Sequence, residues 1–197
     1  SDLCEEIGIN QANFAAVGTH DTASAVAAIP GSGSFAFCSS GTWSLMGCEL
    51  KAPLICAEGE KRNYTNEGGA CGTIRYLKNH VGLWLVQECR RAWKAEGKNV
   101  TYDSMTEAAM NAKPFVSFIN VNDPVFMPPG DMPARIAEYC RKTGQHVPET
   151  VGEIIRTIFD SLALCYRYTV EDIIVDPSAA SFITALRRRK FHVRQAD

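Results

Sequence analysis

His20 and Asp21 adjoin in a stretch, Ala15 to Pro30, that runs from apolar residues into a series of small ones. The rim of a sheet, where a strand gives way to a helix, is where α/β proteins tend to carry chemistry. A carboxylate there can act as general base if it reaches a substrate hydroxyl and is not held in an ion pair. Aspartate is also a preferred N-cap, and on the residues alone the cap is the better reading of Asp21. His20 reads equally well as a satisfied core histidine. Ser39-Ser40-Gly41-Thr42 is a tight, hydroxyl-bearing turn whose backbone N–H groups would suit an anionic phosphate. An ordinary hairpin turn explains the same residues more simply. Nothing in the chain matches the Gly-rich nucleotide loop that ends in Gly-Lys-Ser/Thr. Asn66-Glu67-Gly68-Gly69 is a polar turn, or a place where backbone approaches a ligand closely. Asn79 and Gln87 are amides beside an apolar stripe, able to reach a sugar or a nucleotide, although solvent-facing amides on helices are common.

The elements that would carry these residues follow from periodicity. Ala15 to Val17 reads as the end of a buried strand and Thr22 to Ala28 as a short, closely packed helix. Phe35 and Phe37, then Trp43 and Leu45, alternate on two strands joined by a turn at Ser39-Ser40-Gly41. A third strand is expected near Arg62 to Thr73, interrupted by Gly68-Gly69. The spacing of Leu77, Val81, Trp84, Leu85, Cys89, Ala92 and Trp93 predicts one amphipathic helix over 74–93, which puts Asn79 and Gln87 two turns apart. Further helices are expected around Met105 to Ala112 and over 133–142, with a proline-rich irregular segment between them. Thr150 and Glu153 form a capping-box pattern that opens a last helix running to about Ile173. Strands alternating with helices favour an α/β domain.

Bulk composition narrows the class of function. The chain has 197 residues, 46% hydrophobic and 21% charged, with a formal net charge of -2. That length suffices for one domain with a substantial core. The charge gives no electrostatic reason to expect nucleic acid or an anionic membrane as partner. No apolar run has the length of a membrane span, and the first residues lack the pattern of a signal peptide. The eight cysteines show no metal-site spacing and read as free thiols of a reducing cytoplasm, with Cys38, Cys89 and Cys165 in the core. In that setting the glycosylation patterns at Asn63 and Asn99 are coincidental.

The segments "THDTASAVAAIP", "SSGTWSLMG", "TNEGG", "LKNHVGLWLVQECRRAW" and "IFDSLALCYRY" follow one another in an order that resembles the C-terminal domain of the FGGY carbohydrate kinases. These belong to the actin-like ATPase superfamily. Within the family, "HDTASAV" with "SSGTWSLMG" points to kinases of L-rhamnulose over those of glycerol or xylulose. The resemblance implies an RNase H-like α/β domain with an incomplete sheet and flanking helices. It implies a cytoplasmic enzyme of L-rhamnose breakdown, with sugar and ATP bound in a cleft between two domains. The γ-phosphoryl group of ATP, with Mg2+, would pass to the 1-hydroxyl of the ketose. Asp21 would then be the proton acceptor, His20, Thr22 and Asn79 further sugar contacts, and Gly41, Thr42 and Gln87 the ATP contacts. Phosphoryl transfer needs positioning, charge stabilisation and a base at the acceptor hydroxyl, which agrees with these residue types.

The chain also departs from the family. It lacks the amino-terminal domain, with the first phosphate loop and most of the sugar site, and the strand and triple-glycine turn that normally follow the last matched helix. The expected division is therefore 1–173, part of a kinase C-terminal domain, and 174–197, an unmatched tail of truncated or frame-altered origin. Arg187-Arg188-Arg189-Lys190 in that tail reads as a solvated charge run. Half a cleft is expected to be inactive by itself, and its uncovered apolar surface favours self-association. Two rivals remain: a noncatalytic module binding nucleotide or protein, and a hydrolase using Ser39 or Ser40 with His20.

Overall fold

A computed structural model describes residues 2–10, 18, 20–30 and 35–175. The strand expected at Ala15 to Val17 and the basic run at Arg187 to Lys190 lie outside them. Two short helices come first, α1 (Asp2–Glu6) and α2 (Asp21–Ala27), the second where small residues predicted it. β1 (Ala36–Ser40) and β2 (Trp43–Leu50) form the expected hairpin, but the turn falls later than predicted. Ser39 and Ser40 pair with Leu45 and Ser44, leaving Gly41-Thr42 as the connection. After α3 (Ala57–Lys61) come β3 (Thr65–Gly68), which stops at the predicted glycines, and β4 (Ile74–Val81). The result is a four-stranded sheet of order β1-β2-β4-β3, every pair antiparallel.

β4 overturns the expectation of one helix over 74–93. That stretch is a strand, a break at Gly82-Leu83, and then helix α4 (Trp84–Ala95). The four-residue spacing of Leu77, Val81 and Leu85 is even, so it shares a face in a strand as well as in a helix. Neighbours far along the chain decide the matter. β4 is hydrogen-bonded to β2 on one side and β3 on the other. A central strand is covered on both faces, and Arg75, Tyr76, Leu77, His80 and Val81 are all buried.

The register assigns each face a helix. Phe37, Gly47 and Leu77 lie in one row, and Phe37 and Leu77 pack with Val26 of α2. On the opposite face Cys48 and Tyr76 meet Val170 and Ile173 of α7 (Val151–Val175). There Ser44 Oγ lies 2.5 Å from the Tyr166 hydroxyl.

A second, larger core lies beyond the sheet. α4, α5 (Tyr102–Asn111), α6 (Met132–Lys142) and α7 surround Leu85, Cys89, Met105, Phe126, Ile136 and Ile155. The segment between α5 and α6 is irregular, as expected, apart from one 3-10 turn at Pro124–Phe126. The α7 capping box is present. Glu153 N–H donates to Thr150 Oγ1 (3.2 Å), and Glu153 Oε2 accepts from Thr150 N–H (3.0 Å). Cys38, Cys56, Cys71, Cys89, Cys140 and Cys165 are free thiols. Cys89 is buried and Cys165 partly so, whereas Cys38 is exposed, contrary to expectation. It sits on edge strand β1, on the face whose helix, α7, packs with β2 and β4.

Candidate functional site

Asp21 opens α2 but does not cap it. His20 holds the cap position with extended backbone and makes no side-chain cap bond. Asp21 Oδ1 accepts from Thr22 N–H (2.7 Å) and lies 3.3 Å from His20 Nδ1. Its Oδ2 has no partner among the described residues, and the side chain is 94% exposed. A carboxylate so placed keeps one oxygen for an incoming proton. His20 is half exposed and no core histidine. Thr22 is buried beneath the pair, its hydroxyl 3.4 Å from Asp21 Oδ1.

Thr42, in the β1–β2 turn, and Gln87, on α4, come together. Gln87 Nε2 donates to Thr42 Oγ1 (3.1 Å), and the Thr42 hydroxyl lies 3.4 Å from Gln87 Oε1. The hairpin holds the start of α4 through its carbonyls: Leu83 N–H donates to Gly41 O (2.9 Å), and Trp84 N–H to Thr42 O (3.0 Å). Gly82 makes this approach possible. A Cβ there would stand 2.4 Å from Ser44 Oγ and 2.8 Å from Gly41 O. The expected cluster of open N–H groups on the turn is reduced, because Gly41 N–H is spent on Trp43 O (2.9 Å). What remains is the exposed Thr42 and the partly exposed Gln87 amide beside the start of α4, which no side chain caps. A helix start of this kind favours negative charge.

Asn79 is not on a helix with Gln87. It sits on β4 opposite Leu45, exposed and without a hydrogen-bond partner among the described residues. Side chains alternate across a sheet, so Asn79 shares its face with Leu77 and hence with α2. From α2 the rows run Phe37–Leu77, then Ser39–Leu45–Asn79, then Trp43–Val81, and finally the Gly41-Thr42 turn. Successive rows stand about 7 Å apart.

The core histidine is His80, which the sequence reading passed over. It is 1% exposed, with Nε2 3.0 Å from Thr169 Oγ1 and Nδ1 3.0 Å from Asn122 Nδ2 and 3.2 Å from Cys165 Sγ. The Thr169 hydroxyl donates to Cys165 O, so it accepts from Nε2–H, and Nδ1 accepts from the Asn122 amide. Burial pushes the imidazole down to about 4, and the charge of Lys78 acts the same way. His80 is thus a neutral seam between β4 and α7. Its partners are distant in sequence, so spacing could not have found it. Arg75 was also missed. It is buried on the α2 face, donates from Nε to Gly68 O (3.1 Å) and pairs with Glu67 (3.1 Å). No group of three or more acidic, histidine or cysteine side chains among the described residues is arranged to hold a metal. No helix among them is long and apolar enough to cross a membrane.

The model of the C-terminal domain of the FGGY family of carbohydrate kinases matches residues 36–184. The match includes Thr42, Asn79 and Gln87, and begins after His20-Asp21-Thr22. A rhamnulokinase of Bacteroides thetaiotaomicron is 49% identical over 176 residues, which is 87% of this chain and 36% of that protein. A rhamnulokinase of Ligilactobacillus salivarius is 50% identical over 84% of the chain, and one of Bacillus subtilis 44% over 80%. The chain spans about a third of the length of these curated relatives, 36%, 34% and 32% respectively. It belongs to the FGGY family of carbohydrate kinases and carries that family's C-terminal domain.

Proposed function

We propose that this chain is the C-terminal, RNase H-like part of an ATP-dependent kinase that phosphorylates L-rhamnulose in the cytoplasm. The domain takes in at least residues 36–184, the span its family model matches. Asp21 is the general base. Its open Oδ2 takes the proton of the sugar's 1-hydroxyl, the hydroxyl oxygen bonds to the γ-phosphorus of ATP, and the bond from that phosphorus to ADP breaks. His20 fixes the other carboxylate oxygen, and Thr22 and Asn79 border the sugar. Gly41, Thr42, Gln87 and the start of α4 face the phosphates. Mg2+ neutralises phosphate charge in such a transfer.

The observation that carries this reading is the order of rows on one sheet face. The helix that carries the bare Asp21 carboxylate packs through Val26 on the row at one end, an unpartnered amide follows, and a hydroxyl–amide pair beside a helix start lies at the other. A phosphoryl acceptor, its base and its donor need that sequence of groups. The test joins the chain to an amino-terminal domain of the family and follows L-rhamnulose-dependent ADP formation. Asp21→Asn should lower turnover by roughly 10²–10⁴ while sugar binding by calorimetry persists. Retention of most turnover by that variant would overturn the proposal; the 197-residue chain alone, half of a cleft, should show none.

A further inference from the structure

Trp43 is a large aromatic residue left 46% exposed in a sheet whose other rows on that face are covered or polar. It is paired with Val81, so Asn79 is its diagonal neighbour on the same face. Diagonal neighbours lie about 7–8 Å apart, within reach of an aromatic side chain and of a small molecule touching both. In sequence it follows Thr42 directly, which puts it between the amide and the hydroxyl–amide pair.

Its presentation is rigid. β2 begins at Trp43, and the preceding turn is clamped by Leu83 and Trp84 N–H groups on the carbonyls of Gly41 and Thr42. Trp43 O accepts from Gly41 N–H, while the indole Nε1–H has no partner among the described residues. A scattered exposed apolar side chain needs no explanation. An indole displayed on a locked turn, with its N–H free and polar groups on either side along the face, has the form of a ligand-site wall.

We infer that the Trp43 indole is the apolar wall of the sugar site, stacking on the C–H face of the ketose and receiving its terminal methyl group. This rests on the kinase reading above and deepens it. L-Rhamnulose is the 6-deoxy form of L-fructose, so the two differ by one hydroxyl at the end of the chain. The carbon face of the ring favours a methyl over a hydroxyl, and removing the ring takes that preference away. A nucleotide base is the other flat ligand that could use an indole. The adjacency to Asn79 assigns the wall to the sugar.

The test uses the two-domain protein and measures both ketoses and ATP. Trp43→Ala should raise the KM for L-rhamnulose by on the order of tenfold and change the KM for ATP by less than about twofold. The ratio of kcat/KM for L-rhamnulose over L-fructose should fall by roughly tenfold. Trp43→Phe, which keeps a flat ring, should recover most of both losses. An unchanged ketose KM, or a rise confined to ATP, overturns the inference and leaves the kinase reading standing. Absence of L-rhamnulose turnover in the unsubstituted two-domain protein overturns both.

Discussion

Lowering the pH from 7.5 to 5 should weaken this fold by about 2 kcal/mol through one side chain, His80. The imidazole is shut between β4 and α7, and its Nδ1 faces the amide donor of Asn122 and the Cys165 thiol. Protonating Nδ1 would set N–H against N–H in a place water does not reach. Burial first, with the charge of Lys78 acting the same way, holds the folded group at about 4, against 6.5 when exposed. Between those values the unfolded chain holds more protons than the folded one, so stability falls as pH falls. At pH 5 the exposed imidazole is almost fully charged and the buried one about one-tenth charged, which integrates to about 2 kcal/mol. Below pH 4 the loss levels off at about 3 kcal/mol. Urea unfolding at pH 7.5, 6 and 5 measures this directly, and a slope of about 2 kcal/mol/M turns the difference into about 1 M in midpoint. Other groups add their own acid sensitivity, Glu153 among them, since backbone N–H groups of Thr150 and Glu149 hold its carboxyl below the usual range. His80→Gln isolates the histidine: it should be weaker at neutral pH but lose about 2 kcal/mol less on acidification. Parallel pH profiles for the two proteins would refute the reasoning. So would a His80 ring resonance that titrates near the exposed value.

Other expectations concern the parts that hold the site. Gly82→Ala forces a Cβ toward Ser44 Oγ at 2.4 Å and should cost about 1–3 kcal/mol in thermal or urea unfolding. Because Gly82 separates the hairpin from α4, the same change should disturb the Thr42–Gln87 contact, read as a rise in KM for ATP in the two-domain protein. Thr150→Ala removes the α7 cap and should cost about 1 kcal/mol, seen as a lower melting temperature with kinetics unchanged.

Local chemistry was legible wherever neighbours in sequence are neighbours in space. The small residues of α2, the alternation in β1 and β2, the glycines that end β3 and the Thr150–Glu153 box each act within a few residues, and each element stands where its residues predicted. The types of the candidate site residues were legible for the same reason, since Asp21 stands at a helix start and Thr42 in a turn. Three things depended on partners distant in the chain. A four-residue apolar spacing fits strand and helix alike, and β2 and β3 make 74–81 a strand. That pairing moves Asn79 from the helix of Gln87 to the sheet face of α2, and places Trp43 diagonally from it. Sequence alone passed over His80 and wrongly put Cys38 in the core, because burial is a property of whatever packs above a residue: α7 covers the central strand and leaves the edge strand's thiol exposed. Backbone pairing and helix packing act across the whole chain, so the face a side chain occupies is decided only when the sheet is assembled.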